Sequence, residues 1–181
     1  MKKPQLGQTP RVLFDEDAIR RRVEELARQI SADYAGKGEV LLVGVLRGAF
    51  LFLADLCRRL TIPSRVDFIA VSSYGDKTVS SGTVRLLLDL RGDIRGRHVL
   101  IVEDIVDTGS TLAYLHHMLG LRDPASLKTC TLLHKAKADA KGTPVDYIGF
   151  EIEDDWVVGY GLDYADLYRT LPYIGVLQVN G

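Results

Sequence analysis

A chain of 181 residues accommodates one full-sized domain and leaves little room for a second. Apolar residues make up 46% and charged residues 26%, which suits a soluble globular protein with a sizeable core. The 23 Lys and Arg against 24 Asp and Glu give a formal net charge of −1, so no overall field attracts nucleic acid or an anionic membrane, and an anionic ligand has to be held by local cations, backbone amides or a metal. Met1–Arg11 is polar and unlike a signal peptide, and the apolar stretches Val40–Leu46 and Ala49–Leu56 are too short to span a bilayer. Cys57 and Cys130 lie far apart without a CxxC partner, so two unpaired thiols and a cytosolic setting are expected.

In chain order, Leu13, Ile19, Val23, Leu26 and Ile30 recur near helical spacing, with Asp15 as cap and Gly36 as stop, and predict an amphipathic first helix. Val40–Leu46 (VLLVGVL) is a continuous apolar run suited to a strand buried on both faces. A second helix is expected from Gly48 through Leu60, with Phe50, Leu53, Leu56 and Leu60 on one side; Pro63 ends it, and Arg65–Val71 is the next strand. Ser72–Gly82 (SSYGDKTVSSG) is small and polar and reads as an exposed, mobile loop. Arg85–Leu90 is a strand, Arg91–Gly96 a turn, Arg97–Val102 a third apolar strand and Gly109–Leu119 a helix. Ser126–Leu133, Tyr147–Ile152, Val157–Val158 and Tyr173–Val179 complete a β-rich final third. Alternating strands and helices imply an α/β fold with a doubly wound, mainly parallel sheet flanked by helices, and no repeat, low-complexity tract or linker interrupts a single domain spanning 1–181.

The chemistry concentrates in Val99–Thr111, VLIVEDIVDTGST. An apolar strand runs into Glu103-Asp104, and then Asp107-Thr108-Gly109-Ser110-Thr111 opens a helix. Open α/β sheets bind ligands beyond the carboxyl ends of their strands. Thr108, Gly109, Ser110 and Thr111 bring backbone N–H groups and hydroxyls to a helix N-terminus, where a phosphate is favoured. Two adjacent acids suit ribose hydroxyls, contacted directly or through a metal, while Asp107 reads equally as a helix cap or a proton-transferring acid. G-x-x-x-x-G-K-[ST] is absent, and no G-x-G-x-x-G follows a strand, so neither a P-loop nor a dinucleotide site is expected. His116-His117 lack spaced partners and read as packing or surface residues rather than metal ligands.

This segment resembles the phosphoribosyl-pyrophosphate signature of the type I phosphoribosyltransferases: an apolar strand, two acids, two apolar residues, then D-T-G-x-T. The resemblance extends along nearly the whole chain to their 6-oxopurine, hypoxanthine–guanine branch. Leu46-Arg47-Gly48 resembles the pyrophosphate-binding loop, Ser72-Ser73-Tyr74-Gly75 the start of the mobile loop, and FEIEDDWVVGYGLDY (Phe150–Tyr164) with Tyr168-Arg169 the purine-binding and second metal-binding region. It implies the family fold, with a small hood built from N- and C-terminal segments over the sheet. It also implies Mg²⁺-dependent transfer of the 5-phosphoribosyl group from phosphoribosyl pyrophosphate to N9 of hypoxanthine or guanine, giving IMP or GMP and pyrophosphate.

The resemblance assigns each residue a role. Asp107 is the general acid/base near purine N7, Thr108–Thr111 cradle the 5′-phosphate, and Glu103 and Asp104 meet the ribose hydroxyls directly or through the metal. Lys135 donates to O6, which selects oxo over amino purines because an ammonium only donates. Trp156 stacks on the base, and the Val157 backbone meets its edge. Asp163 is a metal ligand on the pyrophosphate side, and Arg47, Gly48 and Arg169 bind pyrophosphate. Ser73 and Tyr74 shield the reacting centre when the mobile loop closes. The family's use of the pyrophosphate loop relies on amides freed by a non-proline cis peptide, here Leu46–Arg47. Arg47 departs from the family's usual Lys, and its forked head changes the side-chain contact.

A base preference for xanthine–guanine or a pyrimidine is the enzymatic rival, and Lys135 with Trp156–Val157 favours a 6-oxopurine. A phosphoribosyl-pyrophosphate sensor that binds RNA would show a basic face, which the charge balance argues against. The expected partners are the two substrates and further copies of the chain, as a homodimer or homotetramer, with no nucleic acid and no membrane.

Overall fold

The computed structural model describes residues 4, 6–73, 84–136 and 142–178. Its elements run β1 (Arg11–Phe14), α1 (Glu16–Asp33), β2 (Val40–Leu46), α2 (Phe50–Cys57), β3 (Ser64–Ser73), β4 (Val84–Leu88), β5 (His98–Val106), α3 (Ser110–Gly120), β6 (Ser126–Lys135), β7 (Tyr147–Ile152), β8 (Val157–Val158) and β9 (Ile174–Val176). Six strands form one sheet in the order β4-β3-β2-β5-β6-β7. Every neighbouring pair in it is parallel except β3 with β4. From β2 the chain winds to β3 and β4 on one side, then returns beside β2 as β5 and continues to β6 and β7. The switch point therefore lies between β2 and β5, where the loops after the two strands diverge and leave a crevice.

Apolar runs without alternation build the sheet's centre: the first six residues of β2 and Val99–Val102 of β5 are buried. On one face Leu42, Leu100 and Val102 pack with Val23, Leu26 and Ile30 of α1 and with Phe52, Leu53 and Leu56 of α2. On the other, Val43, Val99 and Ile101 pack with Leu112, Leu115 and Leu119 of α3. Gly44 has a packing reason, since a β-carbon there would press into the Leu53 side chain. A second, antiparallel sheet, β1-β9-β8, joins the two ends of the chain and forms the hood.

Several sequence-based boundaries shift, for physical reasons. Leu13 belongs to β1 and not to the first helix, because the Asp15 carboxylate accepts from the Ala18 amide at 2.7 Å and fixes the helix start beyond it. The residues before that cap pair with β9, Arg11 opposite Val176, and Phe14 stacks on Phe150 at 4.0 Å. The second helix is shorter than Gly48–Leu60, since Arg47–Ala49 form the loop beyond β2 and Leu60 lies past the C-cap Arg58. Phe50 is exposed, and Phe52 takes the inward position expected of it. Ser72 and Ser73, expected in the polar loop, are strand residues at the end of β3; the rest of that expected loop within 74–82, Tyr74 included, lies outside the described residues. The strand expected at Arg85–Leu90 is Val84–Leu88 and pairs antiparallel, and Tyr173–Val179 shrinks to Ile174–Val176. Most consequential for the site, β5 continues through Val106 and β6 through Lys135, so Glu103, Asp104 and Lys135 are strand residues held by the ladder. Both cysteines are free, Cys130 buried and Cys57 half-buried. Among the described residues no helix is long and apolar enough to cross a membrane.

Candidate active site

The crevice gathers the ends of β2, β5 and β6. After β2 the Leu46–Arg47 peptide is cis, as the resemblance implied. Gly48 follows, and it lies so close to β5 that a β-carbon would overlap the Asp104 carboxylate. Glycine is required there by that approach. On its other side Gly48 meets the hood: Gly161, at φ +101, has the Gly48 carbonyl oxygen where its own β-carbon would be.

Asp107 to Gly109 form the turn between β5 and α3. The helix cap is Gly109, at φ +72, which has no side chain to cap the first turn. Asp107 is thus not the cap, and the leading amides of α3 keep their donor capacity for a ligand. Thr108 is exposed, its hydroxyl 3.3 Å from that of Ser110, and Thr111 is half-buried on the first turn.

The acids differ in environment. Glu103 is buried, and its Oε2 has no hydrogen-bond partner; burial first, and then the neighbouring Asp104 charge, push its carboxyl well above the ordinary range. Burial likewise raises Asp104, up to about 6, against the pull of two backbone amides and of Arg169. Asp163 pairs with the Arg169 guanidinium at 2.6 Å and accepts the Asp166 amide at 2.8 Å. Arg169 also donates to the Gly161 carbonyl at 2.7 Å, while exposed Arg47 reaches Asp166 at 2.8 Å. Gly48, Asp104, Gly161, Asp163 and Arg169 therefore form one connected group.

Beside it a cavity of about 180 Å³ is lined by Asp104, Ile105, Asp107, Lys135, Trp156, Val157 and Asp163, among others. Lys135 is only 7% exposed, an unusual state for a lysine, and it is held by two carboxylates, Asp154 at 3.0 Å and Asp107 at 3.3 Å. Trp156 meets Tyr164 edge-on at 5.6 Å, and its indole Nε1 is buried without a partner. Val157 is buried on β8. His116 does no site chemistry: its Nε2 lies 2.7 Å from the Thr129 hydroxyl, away from the crevice, and burial lowers its pKa.

Of the expected site residues, Arg47, Gly48, Asp104, Asp107, Lys135, Trp156, Val157, Asp163 and Arg169 meet around the crevice; Glu103 is buried on β5, Thr108, Ser110 and Thr111 stand on the adjoining turn and helix start, Ser73 ends β3 with only its backbone described, and Tyr74 falls outside the described residues. Four participants were not foreseen: Asp154, which shares Lys135; Asp155, which lines the cavity; Asp166, which pairs with Arg47; and Gly161, which packs on Gly48. The acidic run before Trp156 and the glycines flanking Tyr160 were the available signals.

A helix-opening turn at the switch point, beside a glycine loop and a cavity lined by acids, a lysine and a tryptophan, is an arrangement suited to an anionic ligand joined to a flat base. The model of the phosphoribosyl transferase domain matches residues 12–165. The hypoxanthine phosphoribosyltransferase of Salmonella typhimurium is 51% identical over 168 residues, covering 92% of this chain and 94% of its own length. The hypoxanthine-guanine phosphoribosyltransferase of Mycobacterium tuberculosis is 50% identical over 177 residues, covering 95% and 88%. Among solved structures, hypoxanthine phosphoribosyltransferase from Trypanosoma cruzi in complex with the product IMP superposes with a TM-score of 0.88 at 49% identity, covering 97% of this chain and 98% of that one. The chain belongs to the type I phosphoribosyltransferase family, among its purine-salvage hypoxanthine phosphoribosyltransferases.

Proposed function

We propose that the protein transfers the 5-phosphoribosyl group of phosphoribosyl pyrophosphate to N9 of hypoxanthine or guanine, within a single domain. The observation that carries this reading is Lys135, buried at the end of β6 and held beside Asp107 in the cavity lined by Trp156 and Val157. A buried ammonium there favours a base that presents an acceptor oxygen over one that presents an amino group. Trp156 offers a stacking surface, and the Val157 backbone offers polar groups to the base edge.

In the transfer, the bond from C1′ to pyrophosphate oxygen breaks with its electron pair leaving on pyrophosphate, and the N9 lone pair forms the new bond to C1′. The base must then lose a proton, and Asp107 exchanges it at N7, a role worth about 10²–10⁴-fold in rate. The α3 amides and the hydroxyls of Thr108, Ser110 and Thr111 hold the 5′-phosphate. Gly48, Arg47 and Arg169 hold pyrophosphate, and Glu103 and Asp104 face the ribose hydroxyls.

The donor set fits Mg²⁺. Asp104 and Asp163 are hard carboxylates next to the pyrophosphate subsite, and Asp104 is burdened by a desolvated charge that a cation offsets. Among the described residues no three His, Cys, Asp or Glu side chains form a metal cage. The expected set of Glu103, Asp104 and Asp163 is thus not gathered as one cage, and Asp104 with Asp163 would hold the cation together with substrate oxygens. When bound, Mg²⁺ supplies neutralisation of the charge that develops on pyrophosphate. It also accounts for how a chain of net charge −1 accepts so anionic a substrate.

The test is to incubate the protein with Mg²⁺, phosphoribosyl pyrophosphate and, separately, hypoxanthine, guanine, xanthine, adenine and uracil, and to follow nucleotide formation. Product with hypoxanthine or guanine and none with adenine or uracil is expected; product with no 6-oxopurine overturns the reading. Asp107→Asn should lower kcat far more than it weakens phosphoribosyl pyrophosphate binding.

A further inference from the structure

Tyr160 lies between Gly159 and Gly161 in a left-handed conformation, φ +49, which a bulky aromatic seldom adopts. Its amide donates to the Leu171 carbonyl at 2.9 Å, and the next amide, Gly161, donates to the Arg169 carbonyl at 2.9 Å. Its side chain crosses to α2, where the hydroxyl donates to Asp55 Oδ2 at 2.5 Å. The other Asp55 oxygen faces Arg58 and Arg59. Burial pushes the Asp55 carboxyl up, but the Tyr160 hydroxyl and the two arginines together hold it below its ordinary value. Burial, and then Asp55 itself, raise the Tyr160 hydroxyl above its own, so a neutral donor faces an ionised acceptor across the physiological range.

What this bond joins matters more than its strength. Asp55 rides on α2, the helix that grows directly out of Arg47–Ala49 and whose first amide, Phe50, donates to the Arg47 carbonyl at 3.3 Å. Tyr160 immediately precedes Gly161, which packs on Gly48 and whose carbonyl receives Arg169. The hydrogen bond thus ties the loop after β2 to the hood turn from behind, away from the cavity that would hold the base. No other side-chain hydrogen bond among those described links α2 to this turn as directly.

We propose that Asp55 and Tyr160 are a positioning pair that sets the spacing between the two halves of the pyrophosphate subsite, Arg47-Gly48 on one side and Asp163 with Arg169 on the other, without touching the ligand. The inference rests on the phosphoribosyl-transfer reading and extends it to two residues outside the cavity. It makes a selective claim: pyrophosphate and phosphoribosyl pyrophosphate lose affinity when the pair is broken, and the base does not.

Tyr160→Phe removes only the hydroxyl. It should raise KM for phosphoribosyl pyrophosphate, and for pyrophosphate in the reverse reaction, roughly tenfold, the loss of about one hydrogen bond. KM for hypoxanthine should stay within about twofold, since no contact in the base cavity is removed. Asp55→Ala should reproduce the effect, whereas Asp55→Asn, whose amide oxygen still accepts from the hydroxyl, should recover most of it. Combining Asp55→Ala with Tyr160→Phe should add little to either change alone. Binding of Mg²⁺–pyrophosphate is measured alongside by calorimetry. A wild type that binds pyrophosphate but forms no nucleotide removes the enzymatic reading and leaves the pair to be judged on Kd. An unchanged pyrophosphate Kd in Tyr160→Phe, or an equal loss for base and pyrophosphate, overturns the pair. If Tyr160→Phe does not fold, the contrast of Asp55→Ala with Asp55→Asn decides the question.

Discussion

Replacing Gly161 by alanine tests the interlock between hood and sheet most directly. At φ +101 an L-residue is strained, by about 1–2 kcal/mol. The added methyl would also overlap the Gly48 carbonyl oxygen, so one backbone has to retreat by about 1 Å before an ordinary C···O separation of about 3.3 Å is restored. Displacement of that size at a reacting centre is worth roughly 10²-fold in rate, so kcat/KM for phosphoribosyl pyrophosphate should fall by about that factor. Gly38→Ala is the control: Gly38 has a similar φ of +93, yet nothing lies within 4 Å of its would-be β-carbon. It should lose stability in urea melts by the same 1–2 kcal/mol, approximately, and keep full turnover. Equal kcat/KM in wild type and Gly161→Ala, or equal losses in the two alanine variants, would refute the reasoning.

Other outcomes follow from the site's electrostatics and its aromatic. Lys135→Ala should chiefly raise KM for the base; an unchanged base KM rejects the O6 contact. Asp104→Asn should stabilise the ligand-free, chelator-treated protein at pH 7.5 while weakening Mg²⁺–phosphoribosyl pyrophosphate binding. The sign follows from a folded pKa of about 6, raised above the unfolded value: the folded state holds a proton the unfolded state has lost, so stability falls as pH rises through that interval. The difference between variant and wild type should grow from about 1 kcal/mol at pH 4.5 to at most about 3 kcal/mol at pH 7.5. A gain independent of pH would contradict the buried charge. Trp156 is the chain's sole tryptophan, so IMP or GMP should change its emission while pyrophosphate alone should not; an identical response to both would place it away from the base.

Much of the site could be read before any coordinates. An apolar strand bearing two acids and then D-T-G-S-T has few structural solutions, and β2 and β7 fell where uninterrupted or strongly patterned runs put them. What escaped depends on long-range partners. The four residues of β1 carry no pattern of their own and become a strand only because β9 returns to meet them. Glu103, Asp104 and Lys135 look like loop residues on polarity, and it is the pairing of β5 with β6 that keeps them in register. The burial of Lys135 contradicts the usual fate of lysine, and its carboxylate neighbours Asp107 and Asp154 offset it. Gly161 shows in sequence only as one of the two glycines flanking Tyr160; the reason for it is the backbone of Gly48, more than a hundred positions away.

The pairing of β1 with β9 also has a bearing on how the protein is made. Arg11 lies opposite Val176, and Tyr164 near the far end donates to the Pro4 carbonyl at 3.0 Å. During synthesis the turn after β5 and the strands around it can assemble while the hood strand β1 is still waiting for its mate. Contacts of such wide separation form late, because the intervening chain has to be ordered first. The six-stranded sheet can thus order first, and the hood closes over it only once β9 has been made.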